Sequence, residues 1–332
     1  MTEDQNSNKN YQQRNDRGRF NRPRSSKEWK LLEKMVMSSQ DEHRKARRWG
    51  IFFKSLTFLY LFIVLMMFNW SPSGVSVGDS HVALVELKGM ISDDEDASAD
   101  RLVKGLRDAF EAEHSKGIII RVNSPGGSPV QSGLVYREVQ RLKKKYPEKK
   151  VYAVITDIGA SGAYYISASA DEIYADPASL VGSIGVVSDG FGFVGTMQKL
   201  GVERRVYTSG TNKAMLDPFQ PEDPKQTEFF ATILADVHQQ FIDAVKEGRG
   251  DRIKDDDLVF SGLFWSGRQA LELGLVDGLA SPGQVAREII GEEKIVDYTP
   301  GVSPLAAFTK GLGVAMADRA MAVLGIGTVS LQ

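Results

Sequence analysis

The stretch VYAVITDIGASGAYYISASADEIYAD, residues 151–176, decides how this chain folds. VYAVIT (151–156) is a short continuous apolar run, the pattern of a strand buried on both faces. DIGA predicts a turn, SGAYYISASA a helix whose small residues allow close packing, and EIYAD a further short strand. Strand, glycine-bearing turn, helix and strand in that order is the unit of an α/β fold. It also puts Ser161 at a helix N-terminus, where outward-pointing amides can hold developing negative charge. The pattern GASGA is related to the G-x-S-x-G nucleophile elbow, with Ala163 in place of the last Gly. Taken alone, it equally describes a serine that caps a core helix.

The same alternation continues on both sides. HVALVEL (81–87) and GIIIRV (117–122) read as strands, and residues 99–114 and 129–145 as helices, the first with Leu102, Val103, Leu106 and Phe110 at helical spacing. Downstream, GSIGVVS (182–188) and ERRVYTS (203–209) predict short strands. Residues 225–247 predict a long amphipathic helix, and 267–274 and 283–291 two further helices. After GIIIRV comes a second special turn, Asn123, Ser124, Pro125, Gly126 and Gly127. Pro fixes one φ and the paired glycines permit close backbone approach, so this turn can aim amides at an acyl oxygen or serve as a plain connection.

The 332 residues hold 41 Lys and Arg, 43 Asp and Glu, four His and no Cys. The missing cysteines exclude a disulfide scaffold, thiolate catalysis and cysteine-ligated metal sites. The near-zero net charge conceals an asymmetry. Residues 1–50 carry 13 basic and 7 acidic side chains, a net of +6, and the remainder carries −8.

The two regions meet at IFFKSLTFLYLFIVLMMFNW, Ile51–Trp70. Twenty residues at ~1.5 Å each make about 30 Å of helix, enough to span a bilayer. Trp49 and Trp70 mark its edges, Lys54 is close enough to one end to snorkel, and Arg44, Lys45, Arg47 and Arg48 crowd the N-terminal side. These features predict an uncleaved anchor, with residues 1–50 in the cytoplasm and the rest outside. A cleaved signal peptide and a buried helix of a soluble protein are the competing readings. The Asn-, Gln- and Arg-rich start predicts a disordered tail, its arginines serving topology and lipid contact rather than nucleic acid. Apolar Leu305–Leu324, interrupted by Lys310, Asp318 and Arg319, suits a packing or oligomer-contact helix better than a second span.

A serine nucleophile needs a base. His43 precedes the anchor, His81 adjoins a strand, His114 ends a helix and His238 lies within the long helix; none sits in a glycine-rich turn. Lysine can replace histidine where its pKa is lowered toward neutrality. Lys213, in SGTNKAMLDPF, is available, but spacing alone does not distinguish it from a solvated charge.

Taken together, RVNSPGG (121–127), ASGAYYISASADEIYADPASLVGSIGV (160–186) and GTNKAMLDPF (210–219) resemble, in order and spacing, the motifs of the signal peptide peptidases in their short, single-repeat form. The resemblance covers most of residues 80–295. It implies an α/β fold of the Clp protease/crotonase type, a ββα superhelical domain preceded by one N-terminal transmembrane helix. The organisation it implies is a tail (1–48), an anchor (49–70), a Ser–Lys peptidase domain (71–300) and a C-terminal oligomer-contact extension (301–332). Ser161 is then the nucleophile, Lys213 the general base and Ser183 the residue that orients the lysine amine. Gly127 and Gly162 supply the oxyanion-hole amides, with Asn123, Ser124, Pro125 and Gly126 as the supporting turn. Ala163 and the residues just before Lys213 depart from the family pattern.

The implied substrates are remnant signal peptides held in or near the inner membrane after secretion, cleaved by an extracytoplasmic catalytic domain. No metal, cofactor or nucleic acid is expected. A homo-oligomer such as an octamer, with Ser and Lys supplied by neighbouring subunits, is expected. The alternatives are a related anchored protease acting on misfolded or membrane proteins, a catalytically silent scaffold on the same fold, and a crotonase-like acyl-CoA enzyme.

Overall fold

The computed structural model describes residues 26–69, 79–254 and 256–301. The chain divides into two units, 1–72 and 73–332. In the first, α1 runs from Ser26 to Asn69 as one continuous helix. Within it Arg47–Met66 is long and apolar enough to cross a membrane, at a mean hydropathy of 1.9. Thr57 donates its hydroxyl to the Phe53 carbonyl at 2.8 Å, so this polar side chain is satisfied inside the helix. The expectation of a disordered tail over 1–48 is corrected for 26–48, which are helical. The sequence from Ser26 to Trp49 has neither Gly nor Pro and is rich in Leu, Glu, Lys, Met and Arg, all strong helix formers. Residues 1–25 and almost all of the expected extension 301–332 lie outside the described residues.

The second unit is built on a mixed sheet. Strands β1 (His81–Lys88), β2 (Ser115–Ser124) and β3 (Val151–Ala160) lie side by side in parallel. Helices α2 (Ala99–Glu111) and α3 (Pro129–Lys145) form the crossovers between them. Both faces of the central strands are buried, as their unbroken apolar runs require. Ala83, Val85, Leu87, Ile118, Ile120, Val122, Ala153 and Ile155 point into the main core with Leu102, Leu106 and Phe110 of α2 and Val135, Val139 and Leu142 of α3. The alternate residues Val82, Leu84, Ile119, Tyr152 and Val154 form a second, smaller core with Val285 and Ala286. The Lys149 ammonium donates to the Phe110 and Ala112 carbonyls at 2.7 and 2.6 Å and so closes the C-terminal end of α2.

β3 serves two neighbours along one edge. Its first half pairs with β4 (Glu172–Ala175) and its last residues with β5 (Leu180–Gly182), both parallel. The predicted turn DIGA is therefore strand, because β5 supplies hydrogen-bond partners as far as Ala160, and the chain turns at Ser161 itself. Between β3 and β4 stands the short helix α4 (Gly162–Ser167). After β5 come α5 (Val194–Leu200) and the long α6 (Pro224–Arg249). β6 (Phe264–Ser266) then pairs antiparallel with β5 and leads into α7 (Gly267–Glu272). β7 (Gly278–Leu279) extends β4, and β8 (Ile295–Asp297) extends the other edge beside β1.

Two predicted strands are absent. GSIGVVS ends as strand at Gly182, and ERRVYTS pairs with nothing among the described residues. β5 is bordered by β3 and β6, so the arm between Ser183 and Asp223 has no place to pair beside β5.

Candidate active site

β3 ends at Ala160, paired with Gly182 of β5. The next residue on each strand is a serine, and both adopt positive φ, 53° for Ser161 and 51° for Ser183. Non-glycine residues are held there only when their surroundings over-determine them, and such positions concentrate at functional sites. The Ser161 amide donates to the Gly182 carbonyl at 2.8 Å, and its carbonyl accepts from Tyr165 of α4 at 3.0 Å. Its side chain makes no capping bond to α4, which disfavours the capping role left open by the sequence. Ser161 and Ser183 are both half-buried at this mouth.

The Asn123–Gly127 turn comes up against Ser161 from β2. Gly126 has φ 100°, and a Cβ on it would stand 2.7 Å from both the Gly162 nitrogen and the Ser161 Cβ. Only glycine fits. The turn is held internally by the Gly126 amide, which donates to Ser124 Oγ at 3.2 Å, and by Asn123, which donates to Asp157 at 2.6 Å. Ser124 and Gly126 are buried; Pro125 and Gly127 are exposed. Ile91 bridges Gly127 in parallel, bonding to the Gly126 carbonyl and the Ser128 amide, both at 2.8 Å. That pattern turns the Gly127 N–H away from Ile91. Its nitrogen lies 3.3 Å from where a Gly162 Cβ would stand. Gly162 opens α4, so its own N–H has no intrahelical acceptor. The Gly127 and Gly162 amides are thus close to one another next to Ser161, and a pair of backbone donors is able to receive an oxyanion.

α4 is firmly anchored behind this mouth. The buried Tyr164 hydroxyl donates to the Leu275 carbonyl at 2.6 Å. Tyr165 stacks on Phe241 of α6 and meets Tyr136 of α3 edge-on, at 4.9 and 5.5 Å between ring centroids.

Lys213 makes no hydrogen bond to Ser161 or Ser183 among the described residues. It is exposed in a turn closed by its amide to the Gly210 carbonyl, and its ammonium makes no hydrogen bond or ion pair among the described residues. The surrounding arm is tied to itself by the Phe193–Phe219 stack and the Arg204–Asp217 ion pair. It presents Val187, Phe191, Leu200 and Tyr207 to solvent, each at least 72% exposed. Among the described residues, no group of His, Asp or Glu is arranged to hold a metal ion.

Sequence reasoning missed several supports of the site. Ile91 orients the Gly127 turn, Ser132 Oγ closes the space beside Gly162, and Trp265 packs on Gly182 with its indole N–H buried and unpartnered. The glycines themselves were the available signal, since each marks a place where another backbone or side chain comes close.

A family profile described as Peptidase family S49 matches residues 143–295. The chain is 48% identical over 57% of its length to a Brucella abortus protein named Na(+)/H(+) antiporter NhaA, of which the match covers 25%. It is 31% identical, over 58% of its length, to an Enterococcus faecium protein carrying the name signal peptide peptidase SppA, covering 56% of that protein. It is 30% identical to a Synechocystis protein named as a protease, over 60% of this chain and 70% of that one. The chain thus spans a quarter to about half of the first two relatives.

Proposed function

The chain belongs to peptidase family S49, and from that premise we propose that it is a membrane-anchored serine endopeptidase using a Ser161–Lys213 dyad. The observation that carries this reading is the mouth itself: a strained, uncapped serine next to two backbone amides, beside a second strained serine. Its α/β architecture fits the Clp protease/crotonase type.

Lys213, as the free amine, takes the Ser161 hydroxyl proton while Oγ attacks a peptide carbonyl. The oxyanion settles on the Gly127 and Gly162 amides, each contributing about 3–4 kcal/mol. Collapse breaks the C–N bond, and the lysine returns the proton to the leaving amine. Water then attacks the ester with Lys213 again as base, releasing the acid and restoring Ser161. Ser183 accepts from the lysine amine and orients it.

The exposed, unpartnered Lys213 turn and its apolar arm support delivery of the lysine to Ser161 of a neighbouring copy, in a ring-like homo-oligomer such as an octamer. The helix Arg47–Met66 supports single-pass anchoring in the inner membrane with the catalytic unit on the extracytoplasmic side. Substrates held in that membrane, remnant signal peptides first, then meet the site at raised local concentration.

The test is cleavage of an apolar signal-peptide-like substrate by the full chain in detergent. Ser161→Ala and Lys213→Ala are each expected to lose about a thousandfold or more in kcat. Wild-type turnover in either variant overturns the dyad.

A further inference from the structure

We infer that His238, excluded above as a base, is a positioning residue that holds Ser183 in its working conformation. His238 lies in the middle of α6, half-buried, and its Nε2 is 3.0 Å from the Ile184 carbonyl. A carbonyl only accepts, so Nε2 carries the hydrogen; the neutral Nε2–H tautomer and the imidazolium both meet that requirement. α6 is itself fixed, because Phe241, Ala244 and Val245 bury into the core one to two turns further along.

The contact completes a set. Three consecutive residues are each tied to a different element: the Gly182 carbonyl to the Ser161 amide at 2.8 Å, the Ser183 amide to the Leu263 carbonyl at 2.8 Å, and the Ile184 carbonyl to His238. Ser183 sits between them at φ 51°. A residue held at positive φ reverts when its constraints are loosened. Of the three constraints, His238 supplies the one made by a side chain, from 54 residues away. Without it the Ile184 carbonyl loses its side-chain donor, and although the Ile184 side chain stays buried in the core, the Ser183 hydroxyl shifts off the position from which it orients the lysine amine. The imidazole touches neither substrate nor lysine, and acts through Ser183. The inference rests on the peptidase reading above and assigns within it the residue that sets Ser183.

The experiment uses the full chain in detergent, with an apolar signal-peptide-like peptide as substrate. The variants are Ser161→Ala, Ser183→Ala, His238→Ala, His238→Gln and the Ser183→Ala/His238→Ala pair. His238→Ala is expected to lower kcat about ten- to a hundredfold with KM nearly unchanged, the pattern of a displaced catalytic group rather than of weakened substrate binding. His238→Gln, whose amide reaches about as far as Nε2, is expected to recover most of that loss. The double variant is expected to be no slower than Ser183→Ala, because a residue that acts only through Ser183 has nothing left to act on. Wild-type kcat in His238→Ala, or losses that multiply in the double variant, would overturn the tether. If Ser161→Ala and Ser183→Ala are inactive in that case, the peptidase reading stands without it. Full activity in Ser161→Ala defeats the peptidase reading, and full activity in Ser183→Ala defeats the tether with it.

Discussion

Ser161 and Ser183 leave the sheet side by side, each the first residue after the Ala160–Gly182 pair of two parallel strands, and both turn through positive φ. The backbone hydrogen bond from Ser161 to Gly182 couples their positions. The chemistry proposed for this mouth then depends on one distant group, Lys213, and on the exactness of the glycine turn that faces it.

If Lys213 acts on a neighbouring copy, two dead variants should rescue each other. Dissociated Ser161→Ala and Lys213→Ala proteins, mixed in equal amounts and reassembled, should regain about a quarter of wild-type activity, the share of sites with both residues intact in a head-to-tail ring. A mixture as inactive as its components places both residues of the dyad in one chain. Peptide cleavage before and after mixing decides it.

Gly126→Ala should abolish turnover by damaging geometry alone. The added methyl meets the Gly162 nitrogen and Ser161 at 2.7 Å, on a backbone with φ 100°. The strain should cost about 1–3 kcal/mol of stability, and the displaced amides should cost a hundredfold or more in kcat. Thermal unfolding and kcat measured together separate the two effects.

Stability should fall in acid in part through the Arg249–Asp277 pair. Arg249, only 1% exposed, makes two hydrogen bonds to Asp277 at 2.6 and 2.9 Å, and Arg252 adds a third. Burial alone would push the Asp277 carboxyl up. Hydrogen bonds from Arg249 and the Ile173 amide, with the charges of Arg249 and Arg252, outweigh it and hold the carboxyl below its ordinary value. A carboxylate depressed in the folded state stabilises above its unfolded pKa of ~3.9, and that contribution is lost as pH falls through the folded value. Urea midpoints should therefore be level near neutrality and drop below about pH 4. Asp277→Asn, which leaves Arg249 buried without a counter-charge, should cost about 3–5 kcal/mol at pH 7 and make that acid limb shallower.

Removing residues 1–72 should change which substrates are cleaved, not the chemistry. On a short soluble peptide kcat should stay within about twofold, while cleavage of a bilayer-embedded apolar peptide should fall about a hundredfold as tethering is lost. Equal losses on both would argue against the anchor as a concentrating device. Parallel assays in solution and in proteoliposomes provide the comparison.

Much of the scaffold was legible because its forces are local or periodic. The apolar runs of β1, β2 and β3 needed partners on both edges and cover on both faces, and α3 spans the predicted residues 129–145. The alternation of ERRVYTS matches a strand, but a strand also needs a partner, and this segment pairs with none among the described residues. Helix begins at Ser26, inside the tail expected to be disordered, because helix propensity from there on is high even where aliphatics are few. Ser161 and the Asn123–Gly127 turn stood out in the sequence because glycine beside serine or proline marks unusual backbone.

The amino-acid sequence by itself determined the apolar helix, the alternating α/β unit and the two special turns, since each follows from the hydropathy or backbone freedom of neighbouring residues. Only the tertiary structure decided that Ser161 adjoins Ser183, that Gly126 seats against Ser161, and that His238 reaches Ile184. Those relationships join residues tens of positions apart. Strand register and helix packing set them, and both are properties of the whole sheet and its core rather than of any local run of residues.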